Sequence, residues 1–152
     1  MKKIKRVSAL LLLLVVFAST FAICASAANT TDRPFYHITI NSTTDFVILD
    51  PREKQDSSAV YLYTTNSGED LHRTRVYGYN SITNTYTNRT WVNRALVSYV
   101  NSRVDVKYSI HNNIYESGYS MAAIGFQGYY PINYMIEGWW SPDSANTYTD
   151  AT

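Results

Sequence analysis

The sequence holds a single cysteine, Cys24, and it falls inside an apolar leader. If that leader is removed after Ala27, residues 28–152 contain no thiol. This excludes disulfide staples, a cysteine nucleophile and any thiolate metal site. Basic charge is also thin. Four of the 13 basic residues (Lys2, Lys3, Lys5 and Arg6) lie in the leader, so residues 28–152 keep nine against 12 acidic ones, a net −3. A mildly acidic chain with scarce lysine does not suit nucleic acid or anionic lipid, both of which attract basic surfaces. Histidine is rare too: His37, His72 and His111 are far apart, and none has metal-motif spacing. Each is expected on the polar face of a strand, solvated, and no metal or cofactor is expected.

What is present begins with the leader, MKKIKRVSALLLLLVVFASTFAICASAANT. A basic start, an apolar run over 9–23 broken only by Ser19 and Thr20, and Ala25-Ser26-Ala27 together make a secretory signal peptide over 1–27. The run is short for a membrane span of about 20 residues, and it leads into a cleavage site. No span is therefore expected after cleavage. Lipidation of Cys24 is disfavoured, because bulky Ile23 and Phe21 stand where a lipobox needs small residues. Export implies an extracellular protein.

The remaining 125 residues suit one domain large enough to bury a core without staples. All 14 tyrosines and all three tryptophans lie there. Tyr, Thr, Val, Ile and Trp favour pleated, half-buried surfaces, while Asn, Ser, Gly and Asp favour turns. The expected organisation is a flexible lead over 28–34, one β domain over 35–145 and a frayed tail over 146–152. Alternation predicts strands at 35–41, 59–65, 72–79, 103–110, 119–127 and 132–140. The segment 72–79 is expected to pair with 59–65 as a hairpin. Arg52 to Ser57 reads as a charged loop. TWVNRALVSYV, 90–100, fits a helix face and a strand about equally, and strand is preferred because its surroundings are β. About eight short strands with frequent turns imply an all-β fold, an antiparallel β-sandwich of the jelly-roll or immunoglobulin-like kind, with a barrel as the alternative.

Motifs that carry chemistry are sparse. GYSMA at 118–122 partly matches a nucleophile elbow around Ser120, but that motif needs a strand–turn–helix and this stretch sits at a β turn. A glycosidase needs two acids across a cleft. Glu116 and Glu137 are the acids nearest the aromatic-rich C-terminal half, and a hydrolase would rest on one of them. Asp143 and Asp150 are too sparse for a calcium loop. The aromatic pairs are the better lead. On a strand, neighbouring side chains point to opposite faces, so one ring of Trp139-Trp140 and one of Tyr129-Tyr130 must point away from any given face. Trp139, Trp140, Tyr129, Tyr130 and Glu137 are the candidate ligand-binding residues. Packing within the core is the competing role for these rings.

YESGYSMAAIGF (115–126), followed by GWWSPDS (138–144), resembles the C-terminal half of small secreted proteins of Gram-positive bacteria that carry an uncharacterised domain. VYLYTTNSG (60–68) resembles their early hairpin. The resemblance spans about half of the exported chain, and its motifs are structural. It implies an extracellular β-rich domain with no assigned activity, and bacteriocin-like proteins share its size and layout. The expected function is non-catalytic binding of a cell-wall or other extracellular glycan or protein. An antibacterial role is the alternative and a small hydrolase the lesser one.

Overall fold

A computed structural model describes residues 29–152. The signal peptide expected over 1–27 lies outside these residues. The described chain is all-β. Its strands are β1 (Arg33–Ile40), β2 (Val47–Ile48), β3 (Arg52–Glu53), β4 (Val60–Ser67), β5 (Leu71–Asn80), β6 (Thr85–Asn88), β7 (Trp91–Val92), β8 (Ala95–Leu96), β9 (Val100–Arg103), β10 (Lys107–Ile110), β11 (Met121–Gly128), β12 (Tyr134–Ser141) and β13 (Thr149–Asp150). Eight of these have four or more residues, and the other five are two-residue pieces.

One sheet runs β1-β12-β4-β10-β13. The other runs β2-β11-β5-β6, with β3 added to β11 and β9 to β5. Both orders are open, so the fold is a sandwich and not a closed barrel. All named pairs are antiparallel except β10–β13. Alternation explains how the sheets meet. In β12, Tyr134, Ile136, Gly138 and Trp140 are buried, while Met135 and Trp139 are exposed and Glu137 is half-buried. In β11, Ala122, Ile124 and Phe126 face inward at the same period. They pack in one cluster with Phe35, Ile40, Leu62, Val76, Ile110 and Ile136. Each large apolar side chain removed from water there contributes about 1.5–3 kcal/mol.

Several sequence expectations need correction. β4 and β5 are not hairpin partners: the turn at Gly68–Asp70 carries the chain from one sheet to the other. Both strands are buried on their inward faces, and Thr64 Oγ1 meets His72 Nε2 across the sandwich at 3.2 Å. His72 is therefore fully buried and not solvated. His37 and His111 are exposed as expected, and pair with Glu137 and Asp150. The alternating run at 103–110 is not one strand. β9 belongs to the second sheet and β10 to the first, with the switch at Asp105, whose φ is 59°. The ambiguous 90–100 segment is β, and its first part forms the small β7–β8 hairpin. Asn93 and Arg94 turn it with φ of 50° and 65°, the twist that two-residue hairpin loops require.

The two ends are tied down. Asn29 N donates to Asp143 Oδ2 at 2.8 Å, and Arg52 donates to the Thr31 carbonyl. β1 already opens at Arg33. The tail, expected to fray, pairs through β13 with β10, and its Ala151 is buried. Lys54, expected in a charged loop, is also buried. Its Nζ lies 2.7 Å from Asp143 Oδ1 and 2.8 Å from each of the Ser58 and Pro142 carbonyl oxygens. Gln55 N donates to Asp143 Oδ2 at 3.0 Å. The aspartate of SPDS thus knots the lead, the β3–β4 loop and the end of β12 together.

Candidate functional site

The five predicted residues do not share a site. Trp139 and Glu137 lie on the outer face of the first sheet, as their common parity requires. Register places Pro34, Trp139, Tyr63 and Lys107 in one row across that face. Lys107 Nζ sits 5.5 Å from the Tyr63 ring centre. Trp139 is 38% exposed. Glu137 accepts from His37 Nδ1 at 3.0 Å, so its carboxylate already has a partner. Trp140, in contrast, is only 2% exposed and belongs to the core. The Arg52 guanidinium stacks 5.3 Å from its ring centre and donates to its carbonyl oxygen at 2.9 Å. Trp140 is therefore corrected from candidate ligand residue to core residue. Beside it, a cleft of about 240 Å³ is lined in part by Arg33, Asp50 and Arg52. Burial, then the neighbouring Arg33, lowers the Arg52 pKa from its ordinary value.

Tyr129 and Tyr130 follow β11 and join the outer face of the second sheet. There the odd positions of β5 point outward: Arg73, Arg75, Tyr77 and Tyr79. Gly125 lies under the Tyr77 ring, and a Cβ there would stand 2.9 Å from Tyr77 Cε2. The glycine is thus what lets the ring come this close to the sheet. Contacts on this face form two groups, one around Arg75 and one around Arg73. The Tyr79 and Tyr86 rings are 4.8 Å apart, Tyr86 meets Tyr77 edge-on at 6.1 Å, and Tyr77 meets Phe46 edge-on at 6.4 Å. Arg75 lies 4.0 Å from the Phe46 ring centre and 5.7 Å from that of Tyr77. Arg73 lies between Tyr99 at 4.9 Å and Tyr129 at 5.1 Å, and Tyr129 meets Tyr130 edge-on at 5.1 Å.

This strip of six tyrosines, one phenylalanine and two arginines is partly open to solvent. Tyr86, Tyr99, Tyr129 and Tyr130 are all exposed. Gln127 holds Arg73 at 3.2 Å, and the Ser98 carbonyl accepts from Arg75 Nε. The guanidiniums are thus fixed between rings. Fixed rings and fixed forks are pre-organised for binding, because little side-chain freedom is left to lose. Sequence reasoning found Tyr129 and Tyr130 but missed Arg73, Arg75, Phe46 and Tyr99. The shared parity of Arg73, Arg75, Tyr77 and Tyr79 was the available signal.

Glu116 is exposed in the turn before β11, on a different element from Glu137. Ser120 follows the turn glycine Gly118, whose φ is 81°, and leads directly into β11. Among the described residues, no group of three or more His, Cys, Asp or Glu could hold a metal ion. No helix among them is long and apolar enough to cross a membrane.

Fold and surface define a class: a single-domain β-sandwich with an arginine–aromatic face. The chain belongs to the family DUF2712, described as a protein family of unknown function, which matches residues 19–144. No curated protein and no solved structure matches it.

Proposed function

We propose that the protein is a secreted, non-catalytic binding module of a Gram-positive bacterium, and that it engages a cell-envelope glycan through the outer face of its second sheet. The arginine–tyrosine strip carries this reading. Tyrosine and arginine are the residue types enriched where surfaces bind, since each offers large contact area with a polar handle. A sugar ring has an apolar C–H face suited to a tyrosine ring, and edge hydroxyls suited to guanidinium and amide donors. The basic start, the apolar run and the Ala-x-Ala site of the leader support export.

The test is binding of the purified protein to glycan arrays and to insoluble peptidoglycan. Tyr129→Ala and Tyr99→Ala should each weaken retention about tenfold or more, the size expected for a stacking anchor. Trp139→Ala, on the opposite face, should leave retention unchanged. Loss on Trp139→Ala alone would move the site to the first sheet. Absence of retention on every array and envelope preparation would refute the glycan reading.

A further inference from the structure

Only two lysines follow the leader, Lys54 and Lys107, and one of them is fully enclosed with a carboxyl group. Both side chains of the Lys54–Asp143 pair are 0% exposed, with Nζ 2.7 Å from Oδ1. Buried ion pairs gain little net stability, because removing two charges from water offsets their attraction. The surroundings have a more specific layout than a salt bridge needs. Asp143 Oδ2 receives two backbone N–H groups, from Asn29 at 2.8 Å and Gln55 at 3.0 Å. Paired N–H donors on one carboxyl oxygen are the arrangement that stabilises an oxyanion during acyl addition. The half-buried Asp56 carboxyl, two residues after Lys54, accepts from Ser58 N at 2.8 Å, and although burial raises its pKa, hydrogen bonds with Ser58 and Asp143 and the Lys54 charge hold it below the ordinary value.

We propose that Lys54 and Asp143 become joined by an intramolecular amide bond in the folded chain, with Asp56 as the proton carrier. A proton passes from the Lys54 ammonium to the Asp56–Asp143 carboxyl pair. A neutral amine then faces a protonated carboxyl group. Nζ forms a bond to Cγ of Asp143, and the developing charge collects on Oδ2 under the Asn29 and Gln55 N–H groups. Nζ gives up a second proton, the Cγ–Oδ1 bond breaks, and Oδ1 leaves as water with both protons. One ammonium and one carboxylate thus yield one amide and one water, without oxidant, reductant or activated donor. In the product Oδ2 still accepts both backbone N–H groups, and the single amide N–H donates to one of the Ser58 and Pro142 carbonyls, each of which lies 2.8 Å from Nζ. Fixed proximity supplies the rate, as for other well-oriented intramolecular reactions. The bond would close a loop across 89 residues, from the end of β3 to the turn after β12.

The experiment is intact-mass spectrometry of the purified, denatured protein made from the full chain, with its N-terminus identified. The expected mass is one water below that of its residues, and proteolysis should yield a branched peptide joining Lys54 to Asp143. Asp143→Ala should restore the full mass. Asp56→Asn keeps both the buried pair and the acceptor for Ser58 N, and it should give a folded protein of full mass. A folded wild type at full mass would overturn the proposal. So would a water loss with Lys54 recovered in a linear peptide. Water loss persisting in Asp56→Asn would remove Asp56 from its role.

Discussion

His72 gives the sharpest test of the core. Its ring is buried between the sheets, with Nε2 on the Thr64 hydroxyl and the ring edge-on to Phe126 at 5.7 Å. Nδ1 has no hydrogen-bond partner among the described residues, so a proton added there would be buried without an acceptor. Burial pushes the pKa down from 6.5 to about 4, opposed by the nearby Asp70. The folded pKa is depressed, so the unfolded chain takes up the proton first as pH falls. The stabilisation is complete above pH 6.5, declines between 6.5 and 4, and is gone below 4. At one pKa unit per 1.36 kcal/mol, a drop to pH 5 should remove about 2 kcal/mol, and the full window about 3 kcal/mol. Urea unfolding at pH 7 and pH 5 measures this directly. His72→Gln places an amide near the Nε2 position, keeps the Thr64 contact and does not titrate. Its stability should change by less than about 0.5 kcal/mol over the same interval, as no buried proton is at stake. An undiminished loss in the variant, or no loss in the wild type, would refute the reasoning.

Other substitutions probe the remaining geometry. Trp140→Ala should destabilise the protein by about 3–5 kcal/mol, and Trp139→Ala by less than about 1 kcal/mol; equal losses in chemical denaturation would contradict the inside–outside assignment of the pair. Gly138→Ala places a Cβ against the Tyr63 carbonyl oxygen, 2.8 Å from Phe35 Cζ and 2.9 Å from Thr64 Cα. Two of these neighbours are backbone and cannot swing away, so a loss at or beyond the upper end of about 1–3 kcal/mol is expected by thermal melting. Arg94→Gly relieves a positive φ in the β7–β8 turn and should raise stability by up to about 1 kcal/mol; a lower melting temperature would argue against that turn.

The parts of the fold legible in the sequence were those set by local alternation. The opposed faces of Trp139 and Trp140, and the shared face of Trp139 and Glu137, follow from period two alone. Sheet membership did not follow, because β4 and β5 carry the same pattern whether they pair or face each other. Nor did the switch at Asp105, where Val104, Val106, Tyr108 and Ile110 keep a dry parity while the strand itself breaks. His72 was misplaced although its neighbours held the clue: Arg73 and Arg75 share one parity, which leaves His72, Thr74 and Val76 for the interior. Lys54 was illegible for another reason. A lysine enters a core only with a partner, and its partner lies 89 residues away. The arginine–tyrosine strip likewise depends on loops that fold back onto the sheet. Tyr99 and Tyr129 meet at Arg73 only in three dimensions.

The short β13 also acts as a cover. Without it, β10 would present an open row of backbone donors and acceptors, the feature through which sheets of separate molecules add to one another. Two paired residues, with Ala151 tucked behind them and the Thr152 carbonyl accepting from Asn101 N at 2.8 Å, close that margin. A cover so short competes weakly against a longer extended peptide of suitable register. Removal of the last few residues would open the β10 edge of the first sheet to an additional strand.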